Sequence, residues 1–124
     1  MTAAGAAPRR SSIVWACYLL LLGTTLIVGP NPLLGLFGIA PATEVWVRVV
    51  GMFVLFMSYL NFHAWRTGSV EVMRLGVQLR LTVPLFFGTF VALGWMQPVL
   101  LLFAAVDVAS ALWTHATLRA EGLA

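Results

Sequence analysis

Charge is what this sequence has least of. Only 9% of its 124 residues are charged, and just four are acidic. Soluble domains carry roughly a quarter charged residues. So few charges, with 61% hydrophobic residues and a mean hydropathy of +0.99, exclude an ordinary water-soluble domain. A chain of this size has too small an interior to hide that much apolar surface from water. Cysteine is nearly missing as well. Cys17 stands alone in an apolar run, which excludes a disulfide framework and a cysteine-based metal site. Four acids spread along the chain form no carboxylate pair. Neither a Ser/His/Asp nor a Cys/His set can be assembled, and no Gly-rich phosphate loop is present. The sequence therefore gives no catalytic residue, leans away from an enzyme and calls for no cofactor or metal.

All seven basic residues are arginine. They are scattered, not gathered into a patch with stacking aromatics, which argues against nucleic acid as a partner. Arginine at the loops of a membrane protein explains them better.

What the chain does have is four apolar runs, at about 13–29, 45–65, 78–95 and 99–118. Each is about 17–21 residues long, near the ~20 needed to cross ~30 Å of hydrocarbon. None alternates apolar and polar residues as barrel strands do. The expected fold is all-α, an up-down-up-down integral membrane bundle of four helices forming one domain over 13–118. Residues 1–12 (MTAAGAAPRRSS) and 119–124 read as cytoplasmic tails, the first disordered, with Ser11 or Ser12 capping the first helix. That helix is expected to be a retained signal anchor, since no small-residue cleavage site follows it. Residues 30–44 hold three prolines and two glycines among Leu, Phe and Ile. They are too broken to span and too apolar for a solvated loop, so an interfacial segment is expected. Thr43 and Glu44 mark the next helix start. Trp46 and Trp65 flank the second span as an aromatic belt. The stretch from Arg66 to Val77 reads as the most charged loop.

With the amino terminus inside, Arg9, Arg10, Arg66, Arg74, Arg80 and Arg119 fall at cytoplasmic ends and only Arg48 falls outside. The expected location is the inner (plasma) membrane, with both termini cytoplasmic.

Polar groups inside the spans are the candidate functional residues. Asp107 lies near the bilayer midplane, where an unpaired carboxylate costs several kcal/mol. Phe103, Ala104, Ser110, Ala111 and Thr114 share its helix face. Asp107 reads either as a proton or cation site or, more economically, as a protonated or arginine-paired structural acid. Ala105 and Ala109 form a small-residue pair opposite. The second span carries a stripe of Arg48, Met52, Leu55, Tyr59, His63 and Arg66. Arg80, near Thr82 and the helix-kinking Pro84, is expected to snorkel to the cytoplasmic surface. The alternative is an inward bend toward Asp107 through Tyr59 or a water. His63 and His115 lie at similar depth and could hold a haem or a metal. Interfacial histidines are the simpler reading, because no carboxylate ligand accompanies them.

Two stretches carry a family resemblance. Pro32-Leu33-Leu34-Gly35-Leu36-Phe37-Gly38 is followed by an Arg-x-x-Gly at Arg48 and Gly51. Later come Phe103-Ala104-Ala105-Val106-Asp107 and Ala111-Leu112-Trp113. Over about 13–118 the pattern is similar to small bacterial four-helix membrane proteins of the DoxX-like sort. The resemblance implies a four-helix bundle in a bacterial inner membrane and transfers no catalytic residue. Some members are linked to quinone or sulfur metabolism, for which this chain shows no redox ligand set. Three functions follow as expectations. The first is an accessory or interaction subunit, partnered by itself or by another membrane protein. The second is a small-solute, lipid or proton conduit round Asp107, Tyr59 and Arg80. The third is a haem-linked subunit using His63 and His115.

Overall fold

The computed structural model describes residues 3–41 and 45–124. The chain forms α1 (Ala6–Val28), a short α2 (Pro30–Leu36), α3 (Trp46–Thr67) and α4 (Val70–Ala92). A 3₁₀ turn (Pro98–Leu100) then runs into α5 (Leu101–Ala120). The described residues contain no strand. α1, α3, α4 and α5 with its leading turn are each 22 or 23 residues long and apolar. At ~1.5 Å per residue that is roughly 33–35 Å, enough to cross the hydrocarbon core. Their outer faces are apolar too, with Leu21 and Leu85 each 71% exposed. Such a surface is stable in lipid and not in water, so the chain is a multi-pass membrane protein with the expected four-helix fold. Thr43 and Glu44 lie outside the described residues.

Two helix pairs make up the bundle. α1 packs along α3, α4 packs along α5, and α1 joins the pairs by contacting α5. α3 and α4, though consecutive in the chain, barely touch. The reason lies in residue size. Helices in lipid approach closely where small residues let their backbones meet. α1 and α3 meet at Gly23 and Gly51, where a Cβ on either glycine would stand 2.9 Å from the other's carbonyl oxygen. One turn and more away, Ser58 Oγ donates to the Ala16 carbonyl at 2.7 Å. α3 and α4 share no such glycine contact.

The end of the bundle that holds both termini differs from expectation. Residues 6–12, read as tail, are the first turns of α1, and Ala4, Pro8, Ser11 and Ser12 are buried. Pro8 sits in the first turn, where its missing N–H has no intrahelical partner to lose. Ala4 N–H donates to the Gly68 carbonyl at 2.9 Å, and Gly5 N–H to Glu121 Oε1 at 2.7 Å. Arg9 reaches back to the Ala4 carbonyl. Ala4, Ala64, Met73 and Leu118 form a small core there. Gly5, not Ser11 or Ser12, precedes the helix.

The expected charged loop is likewise helix. α3 ends at Gly68, whose φ of 68° is left-handed, and Ser69 caps α4 by accepting from Val72 N–H. Two residues suffice to reverse the chain. α4 runs unbroken through Pro84 to Ala92, a few residues short of the predicted end at Trp95. At the opposite end, α2 turns at Gly38 (φ 69°) and folds Leu33, Leu34 and Phe37 over the bundle. The Phe37 ring lies 5.2 Å from that of Phe103.

Candidate functional site: a polar cluster at one end of an apolar cavity

Arg80 does not snorkel. Its side chain turns into the bundle and is only 7% exposed. Nε donates to the Gly76 carbonyl at 3.1 Å, Nη1 to Ser110 Oγ at 3.0 Å and Nη2 to Thr114 Oγ1 at 3.4 Å. The guanidinium carbon sits 5.0 Å from the centre of the Trp15 ring. Hydrogen bonds to fixed acceptors and an aromatic face together offset the loss of water around a buried cation. The helix places those groups by period. Ser110 and Thr114 are four residues apart on α5, and Gly76 precedes Arg80 by four on α4, leaving room for the guanidinium.

The hydroxyls are themselves held. Ser110 Oγ donates to the Asp107 carbonyl at 2.8 Å. Thr114 Oγ1 lies 3.2 Å from the Ser110 carbonyl and 3.0 Å from Ser11 Oγ, which donates to the Pro8 carbonyl. The expected stripe on α5 thus faces inward, and Ala104, Ala111 and Thr114 are buried along it.

Asp107 stands one turn from Ser110 on the same face and lines the cavity beside Arg80. The two charges attract one another, yet among the described residues no direct ion pair joins them and nothing hydrogen-bonds to the carboxylate. Tyr18, stacked on Trp15 at 5.0 Å, is near enough to feel the Asp107 charge.

These groups sit at one side of a cavity of about 600 Å³. All four long helices and α2 contribute to it. Its walls are otherwise almost wholly apolar, among them Leu22, Val54, Met57, Val83 and Phe87, with Asn61 a further polar group. It fills the space where α3 and α4 fail to meet. Val50, Phe53 and Leu79, which line it, are each more than half exposed, so it opens sideways along that seam.

Other predicted residues fall elsewhere. Tyr59 is 73% exposed. Met52, Tyr59, His63 and Arg66 lie on the outer face of α3, because Gly51 and Ser58 set the face that meets α1 and the neighbouring Val50–Val54–Met57–Asn61 face lines the cavity. Arg48 donates to the Ile27 carbonyl and so caps the open end of α1. His63 and His115 are both exposed and turn outward, not toward a common ligand. Among the described residues no three His, Cys, Asp or Glu side chains group as a metal site. Sequence reasoning missed Trp15, Tyr18 and Ser11. With Leu22 they form an i, i+4, i+7, i+11 stripe, the only one on α1 that combines a hydroxyl, an indole and a phenol.

Compared with protein-family models, curated proteins and solved structures, the chain matches none.

Proposed function

We propose that this protein binds a small amphipathic molecule within the bilayer, with its apolar part in the central cavity and its polar part at Arg80 and Asp107. The observation that carries the reading is the cavity itself. At about 600 Å³ it lies within the roughly 300–1,000 Å³ of small-molecule sites, and it has their usual make-up of apolar walls with a few convergent polar groups. The α3–α4 seam offers a lateral way in from lipid. A membrane protein that only filled space between partners would gain nothing from keeping such a void, since unfilled volume weakens packing. An accessory-subunit role rests on chain size and short loops alone.

The proposal extends to placement. Both termini lie at the end carrying Arg9, Arg10, Arg66, Arg74 and Arg119, against Arg48 alone at the other end. The positive-inside tendency then puts both termini in the cytoplasm. A bacterial inner membrane and kinship with DoxX-like proteins belong to the same proposal and rest on the short motifs of α2, α3 and α5.

The test is retention. Protein extracted from membranes in mild detergent and examined by native mass spectrometry is expected to carry a bound lipid-sized molecule. Val83→Trp, which fills the cavity, is expected to lose it. Equal retention by wild type and Val83→Trp, or an empty wild-type protein that also takes up no added chain lipid, would overturn the reading.

A further inference from the structure

The cavity's polar end specifies more than an amphiphile. We infer that its occupant is a single-chain lipid with an uncharged, hydroxyl-bearing head, of the long-chain alcohol or monoacylglycerol type. This rests on the cavity-binding reading above and adds the chemistry of the head.

Charge comes first. Among the described residues the cavity is lined by one basic group, Arg80, and one acidic group, Asp107; the other polar groups there, Tyr18, Asn61 and Trp15, are neutral side chains. The site is therefore balanced without a ligand. A carboxylate or phosphate head would face Asp107, and an ammonium head would face Arg80. Either leaves an uncompensated like charge in a medium of low dielectric, which disfavours binding. An uncharged head adds no such cost.

Hydrogen-bonding capacity points the same way. A guanidinium has five N–H donors. Arg80 commits three of them, to Gly76, Ser110 and Thr114, so two remain. The Asp107 carboxylate accepts no hydrogen bond among the described residues. The site thus offers a donor and an acceptor lining one cavity. A hydroxyl matches both, donating its hydrogen to the Asp107 carboxylate and accepting from Arg80 on its oxygen. A thioether or hydrocarbon end would leave both unanswered.

Shape admits a single chain. From Val47 to Asn61 along α3 the lined wall rises about 20 Å at ~1.5 Å per residue. A volume of about 600 Å³ over that length gives a mean section of roughly 30 Å². A single extended chain, which needs ~20 Å² at contact distances of about 4.0–4.5 Å, fits that section. With Leu33, Leu34 and Phe37 closing the α2 end, the chain enters through the α3–α4 seam.

The test first ranks ligands on the wild-type protein. Hexadecanol, hexadecanoate and hexadecylamine share one chain and differ only in the head. In competition read by native mass spectrometry at neutral pH, hexadecanol is expected to bind at least about tenfold more tightly than either ion, since ~1.4 kcal/mol corresponds to tenfold. In Asp107→Asn the anion loses its opponent and Arg80 gains an unopposed charge. Hexadecanoate is then expected to bind at least as tightly as hexadecanol. Hexadecanoate or hexadecylamine binding to wild type as tightly as the alcohol would overturn the inference and leave the cavity reading standing. An unchanged ranking in Asp107→Asn would also overturn it, because charge would not be the selector. Binding of none of the three, with Val83→Trp indistinguishable from wild type, would remove the underlying reading.

Discussion

Replacing Gly51 by alanine adds one methyl group to a close backbone contact between α1 and α3. The new Cβ would stand 2.9 Å from the Gly23 carbonyl oxygen, with Leu26 Cβ and Ile27 Cγ1 at the same distance. Ordinary contact begins near 3.4 Å, so α1 and α3 must part by about half an ångström, and a backbone oxygen has no rotamer by which to yield. Overpacking of this kind costs about 1–3 kcal/mol. Parting the helices also stretches the 2.7 Å bond from Ser58 to the Ala16 carbonyl, and interhelical bonds in membranes average ~0.6 kcal/mol. Against this, alanine favours a helix over glycine by up to ~1 kcal/mol. The expected net loss is about 1–2 kcal/mol. Gly88→Ala, on α4, is the internal control, since nothing lies within 4 Å of its ideal Cβ. It collects the propensity gain without the clash and is expected to be neutral or stabilising. Reversible unfolding of both variants in bicelles measures the difference. Gly51→Ala as stable as wild type, or Gly88→Ala equally damaged, would refute the account of why α1 and α3 pair.

Two further outcomes follow from the polar cluster and the arginine distribution. Arg80→Lys keeps the charge but cannot fork to Ser110 and Thr114 while lying over Trp15, so it is expected to cost about 1–2 kcal/mol. Arg80→Met should cost more unless Asp107 is neutralised as well, and unfolding of the single and double variants reads that dependence. For topology, with Cys17 replaced, a cysteine at Ala3 or Ala124 should react with an impermeant maleimide only from the cytoplasmic side, and one at Gln97 only from the other. All three positions are exposed. The reverse pattern would invert the orientation.

Long-range architecture was legible because lipid imposes one strong rule. A span must be a helix, and it must be long and apolar, which the four runs satisfy. The inward face of α5 was legible for a related reason, since Asp107 in hydrocarbon has few stable options and its small neighbours mark a packed surface. Element ends were harder. Arg66, Glu71 and Arg74 look like loop chemistry when counted as charges. Yet Gly68-Ser69 is a helix stop followed by a cap, and the charged residues beyond it sit on helix. Arg80 was misread because hydropathy weighs a side chain against lipid alone. Its true surroundings, Ser110 and Thr114 on one neighbour and Trp15 on another, are thirty or more residues away in sequence. On α3 the polar stripe attracted attention, whereas Gly51 and Ser58, both small, decide which face turns in.

The cavity and the glycine contact are two results of one cause. Apolar side chains gain little by leaving lipid for each other, so helices in a bilayer close only where shape permits. α1 and α3 close because Gly23 and Gly51 remove the obstacle between their backbones. α4 presents Leu79, Val83 and Phe87 toward α3, side chains too large for backbone contact and with no glycine opposite to receive them. The gap that remains costs less than it would in water, because a hydrocarbon chain from the bilayer can fill it. Arg80 then has a reason to point inward. A cation drawn across α4 to Ser110 and Thr114 on α5 holds that pair together while leaving the α3 side open, with Asp107 lining the same cavity. Tight packing on one side of the bundle and an entry on the other are thus written by which helix carries the small residues.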